Sequence, residues 1–137
     1  SREIRLNALY ALFAQKNLAA LKNLSVQPDS LQIAVNAQGL ATLLMPHEEG
    51  LKAMLVTYGQ VKSEFVADAG HYLMELVEQE DIEVLVKSHS AGNETQRERL
   101  IEFIRQFVDK KAGPRLEVAM KKLADAEQKA LKLLMPN

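Results

Sequence analysis

The chain has 137 residues, 47% hydrophobic and 26% charged, with a formal net charge of −1; that length suits one domain able to bury its own core. It contains no cysteine and no tryptophan, which excludes disulfides, thiolate catalysis and cysteine-ligated zinc or iron–sulfur centres. No apolar run approaches the roughly 20 residues needed to span a membrane, and no secretory signal is visible, so the expected location is cytoplasmic.

Aromatic residues are sparse, at 5%, so leucine, alanine and valine must build the core. That composition suits packed helices. The small net charge hides an asymmetry. Residues 1–45 carry four basic and two acidic side chains, residues 46–94 three basic and ten acidic, and residues 95–137 ten basic and six acidic. Such a distribution serves attraction within a monomer, assembly between copies, or an acidic partner.

Residues 2–24 read as one helix, with Leu6, Leu9, Tyr10, Phe13, Ala20, Leu21 and Leu24 near one face. Asn17 and Asn23 are its weak spots. Pro28 and Asp29 mark a break. Residues 31–45 admit two readings. As a helix, Ile33, Ala37, Leu40, Ala41 and Leu44 share a face, and Asp29 or Ser30 caps it. As a hairpin, Leu31, Ile33 and Val35 alternate with Gln32, Ala34 and Asn36, and Asn36-Ala37-Gln38-Gly39 forms the turn. The turn lacks Asn-Gly or Asp-Gly, so the helix is preferred.

The longest stretch of one periodicity is residues 46–79. Its apolar stripe includes Leu51, Met54, Leu55, Tyr58, Val61, Phe65, Ala69, Tyr72, Leu73, Leu76 and Val77. Pro46 suits a first helical position, and Glu48 and Glu49 complement the positive helix end. Gly59 and Gly70 predict a kink or close packing. Beside the apolar stripe runs a second one: Glu64, Asp68, His71, Glu75 and Glu78. Asp68 and His71 have the carboxylate-x-x-His spacing of metal-binding bundles, and Glu64, Asp68, His71 and Glu75 are the candidate metal ligands. Complete sites of that kind use a second copy of the motif, which is missing here. A solvated acidic face is the preferred reading.

After Glu80 and Asp81, residues Ile82, Val84 and Val86 alternate with Glu83 and Lys87. This is a short strand or a helical turn capped by Asp81, and the choice is coupled to residues 31–45, because a lone strand has nothing to pair with. Residues 87–93 form a loop. Thr95 and Glu98 have the capping-box spacing for a helix whose apolar face is Leu100, Ile101, Ile104, Phe107 and Val108. Gly113 and Pro114 end it and start a last helix, making a helical hairpin over 95–135. The expected fold is mainly α: a single domain over 1–137, a compact bundle of four to six helices. The alternative is α+β, with a small antiparallel sheet from 31–45 and 82–87.

Catalytic signatures are missing. His47, His71 and His89 show no zinc-binding spacing, and there is no phosphate-binding glycine loop or nucleophile elbow. Ser88, His89 and Ser90 cluster only in sequence. No cofactor is implied, and the reading leans away from an enzyme. Lys110, Lys111 and Arg115 are the densest basic patch, and a nucleic-acid-binding hairpin would use them, although interleaved acidic residues argue against it. The leading expectation is a non-catalytic helical protein–protein interaction or assembly module that self-associates. The alternatives are a metal-binding enzyme or sensor using the acidic stripe, and nucleic-acid binding through the hairpin. The expected homodimer interface lies on the last helix, at Leu116, Met120, Leu123, Leu131, Leu133 and Leu134, with the basic tail facing the acidic centre.

Overall fold

The structure is a computed structural model that describes residues 2–26 and 30–112, together with Asp125, Lys129, Lys132 and Leu133. Among the described residues the chain is helical, with seven α-helices and no strand. These are α1 (Arg2–Ala14), α2 (Leu18–Ser25), α3 (Leu31–Leu44), α4 (His47–Gln60), α5 (Val66–Leu76), α6 (Ile82–Ala91) and α7 (Glu94–Phe107). The chain divides into two compact units between Leu76 and Val77.

The first unit is arranged around α3, which packs against α1, α2, α4 and α5. Its Ser30 side chain caps it by accepting from Ile33 N–H. Ile33, Val35, Asn36, Ala37, Gly39, Leu40, Ala41 and Thr42 are all buried. Burial of consecutive residues on nearly every side rules out the hairpin, in which one face would be wet. Two close approaches make the packing possible. A Cβ on Gly39 would run into the ring of Tyr72 on α5, and a Cβ on Gly50 of α4 would lie 2.5 Å from the Thr42 carbonyl oxygen. The Asn36 and Gly39 that resembled a turn are small or polar groups admitted inside a helix because neighbours lie against them. The Thr42 hydroxyl, buried, donates to the Gly39 carbonyl at 2.6 Å, so it needs no partner outside the helix.

Two long helices expected from periodicity are each broken. The 2–24 segment turns at Lys16, which has a φ of 55°, and Asn17 then caps α2 by accepting from Ala20 N–H at 3.2 Å. The 46–79 segment breaks at Val61 and Lys62, just past Gly59, passes through a 3₁₀ turn at Ser63–Phe65, and continues unbroken through Gly70 in α5. The bundle therefore has more, shorter helices than the four to six expected.

In the second unit Asp81 accepts from Glu78 N–H at 2.7 Å and opens the 3₁₀ turn Gln79–Asp81 that leads into α6. Ile82, Leu85 and Val86 are buried while Val84 is exposed. That is a helical face and not the alternation of a strand. Helix α7 starts two residues earlier than Thr95 and Glu98 suggested. Asn93 accepts from Gln96 N–H and Gln96 accepts from Asn93 N–H, both at 2.9 Å. Leu100, Phe103, Ile104 and Phe107 form its buried face. A π-helical turn, Val108–Ala112, follows. Of the second helix of the expected hairpin only Asp125, Lys129, Lys132 and Leu133 are among the described residues.

Candidate functional site

The most developed polar constellation sits inside the first unit, under α1. The Tyr72 hydroxyl, on α5, donates to Asn36 Oδ1 of α3 at 2.7 Å, and Asn36 Nδ2 donates to the Gln32 carbonyl at 2.8 Å. Both residues are buried, so each pays for its desolvation with hydrogen bonds made within the fold. Tyr10, on α1, lies close enough to Tyr72 to act on its hydroxyl. Burial raises the Tyr72 hydroxyl well above the ordinary tyrosine range, and Tyr10 and then Asp68 add to the effect. A tyrosine held neutral in this way serves as a fixed donor. It positions three helices and offers no accessible base or nucleophile.

Helix α1 sits on this constellation and is unlike α3. Of residues 3–14 only Leu9 is buried. Leu6, Leu12 and Phe13 are half-buried, and Ile4, Ala8, Tyr10, Ala11 and Ala14 are exposed. Ile4 is 69% exposed and Tyr10 51%. Val26 at the end of α2 and Leu31 at the start of α3 are exposed as well. The first unit thus presents large apolar side chains at its surface while its centre is fully packed.

The acidic stripe is distributed over two elements. Glu64 is exposed on the 3₁₀ turn, whereas Asp68 is half-buried and His71 and Glu75 are exposed on α5. The His71 and Tyr72 rings meet edge to face, with centroids 5.3 Å apart. Among the described residues no three His, Asp or Glu side chains are placed to hold a metal ion. Asp68, His71 and Glu75 keep their helical spacing on α5, and Glu64 stands apart because it precedes that helix, on the 3₁₀ turn.

Of the basic patch, Lys110 is exposed, but Lys111 turns inward. Its ammonium donates to the Val77 carbonyl at 3.0 Å, and Gln79 Nε2 donates to the Lys111 carbonyl at 2.8 Å. The π turn is therefore fastened to residues 77–79, and Lys111 is engaged inside its own unit. Arg115 lies outside the described residues. So do Leu116, Met120, Leu123, Leu131 and Leu134 of the expected interface; Leu133 is described and is 84% exposed.

His89, on α6, has its Nε2 buried and, among the described residues, without a hydrogen-bond partner. Burial lowers its tendency to protonate, and Arg97 of α7 lowers it further. Ser88 and His89 are half-buried and Ser90 is exposed, all within α6, where the sequence had suggested a loop. No helix among the described residues is long and apolar enough to cross a membrane.

Sequence reading missed Asn36, Gly39 and Lys16. The first two carried a signal: polar and small residues three apart inside an otherwise apolar helix mark a close helix contact as well as a turn. No family model, curated protein or solved structure matches this chain.

Proposed function

We propose that the chain is a non-catalytic helical protein–protein interaction module that associates with copies of itself. The observation that supports this reading is α1, a helix rich in apolar residues of which only Leu9 is buried. Exposed apolar side chains on a surface helix mark an interaction surface, and α1 carries two of the large ones, Ile4 and Tyr10. Ile4 and Tyr10 on α1, with Val26 and Leu31 on the neighbouring elements, supply large side chains for it. The Asn36–Tyr72 constellation of the first unit is turned to structural use, which favours binding over chemistry. Light scattering on the full chain at micromolar concentration should give about twice the 15.3 kDa monomer mass. Ile4→Glu combined with Val26→Glu should shift the mass toward the monomer with helix content unchanged. A monomer at every concentration would overturn the proposal.

A further inference from the structure

Helix α1 ends in a Schellman motif. Asn17 N–H donates to the Leu12 carbonyl and Lys16 N–H to the Phe13 carbonyl, each at 2.9 Å. The motif needs one left-handed residue, here Lys16 at a φ of 55°. Glycine takes that conformation freely and lysine does not. Among the described residues Lys16 is the only non-glycine with positive φ, so the strain of the first unit is concentrated at this corner.

The sequence around the corner does not demand it. Residues 2–24 keep one helical periodicity, and neither Gln15 nor Lys16 is a helix breaker. If Lys16 moves to the right-handed region, α1 and α2 become one continuous helix. Three things are lost: the Asn17 cap on Ala20 N–H, the burial of Leu9, and the packing of α1 on α3. The last two belong to the seat of α1 on the rest of the unit, and a second copy of α1 restores both.

We propose that α1 is an exchangeable arm: two copies swap it through the Lys16–Asn17 hinge, each α1 taking the seat on the other copy's α3. This rests on the self-association read above and supplies a route that does not use the exposed Ile4 and Tyr10, which keep their exposure in the exchanged seat. A two-fold exchange rebuilds the Leu9 seat and the packing of α1 on α3 twice and relaxes both hinges. Short strained connections favour such exchange. Helix α2 stays in place, because it packs on α3 independently of α1.

The test uses the full chain carrying a photo-reactive benzoylphenylalanine at position 13, in place of the half-buried Phe13. Nitrogen-15-labelled and unlabelled chains are unfolded, mixed, refolded and irradiated, and cross-linked peptides are read by mass spectrometry. The expected result is α1–α3 cross-links that join a labelled to an unlabelled peptide. Lys16→Gly should weaken the dimer on the order of tenfold, since glycine favours the corner and disfavours the continuous helix. Asn17→Ala should strengthen it, because it removes a cap that only the corner uses. A dimer whose α1–α3 cross-links lie within single chains, and whose affinity ignores Lys16→Gly, overturns the exchange and leaves self-association standing. A monomer at every concentration overturns both.

Discussion

Helices α1 and α3 are nearly equal in length, at 13 and 14 residues, and each carries nine apolar residues. Yet α3 buries eight residues, whereas among residues 3–14 α1 buries Leu9 alone. Apolar content therefore does not decide which helix becomes the centre. Placement does. Gly39 and Gly50 let backbones and rings come close to α3, Thr42 satisfies its own hydroxyl, and Asn36 finds Tyr72. Each feature removes a steric or desolvation obstacle to burial on another side of α3. Helix α1 has no comparable feature except Tyr10, and its chain path is interrupted at Lys16.

The comparison is broken most severely at Gly39. Gly39→Val should destabilise the first unit by about 3 kcal/mol or more, because the new side chain meets the Tyr72 ring between two packed helices. Chemical denaturation followed by circular dichroism measures it. A loss below 1 kcal/mol would mean that α3 and α5 have room to separate and that α3 is not the rigid centre described here.

A smaller effect is expected at the polar junction. Tyr72→Phe leaves Asn36 Oδ1 buried without its donor, which should cost about 1–3 kcal/mol. Wild-type stability should also decline as the pH rises above the ordinary tyrosine value of 10.0. The fold holds this hydroxyl protonated while the unfolded chain releases the proton, so the unfolded state gains. Denaturation midpoints of the two proteins against pH should converge in that range. Parallel curves would remove Tyr72 as the cause.

The smallest effect belongs to His89 in the second unit. Its folded form resists protonation because of burial and of Arg97, so the unfolded chain binds more protons as the pH falls below 6.5. Stability of the wild type should decrease through that window, and His89→Asn should decrease less. His89 is only half-buried, so the difference is modest. Equal slopes for the two proteins would contradict the assignment.

Much of this was legible in the sequence, and what was not has particular causes. The helical class followed from composition and period. Asn17 stood out as a weak point, and it is where α2 begins. The Pro46 start and the kink near Gly59 were legible because backbone chemistry acts locally. Asn36 and Gly39 were ambiguous, since the same residues serve a turn or a close helix contact, and only Tyr72, 36 residues away, decides between them. Asn93 and Gln96 won the capping of α7 over Thr95 and Glu98, although both pairs have suitable spacing. The left-handed Lys16 left no sequence signal, because lysine is indifferent to turns. Of the acidic stripe, Asp68, His71 and Glu75 stayed on one helix, whereas Glu64 fell on the 3₁₀ turn Ser63–Phe65 that precedes α5, which the periodicity did not show.

The difference between α1 and α3 is tested most directly by native-state amide hydrogen exchange on the full chain, at a concentration where light scattering shows monomer. Amides of α1 should exchange through a local opening that depends little on denaturant, with protection far below that of α3, whose amides should open only with the unit as a whole. Equal protection of α1 and α3, with the same denaturant dependence, would contradict the account of α1 as a shallowly seated arm.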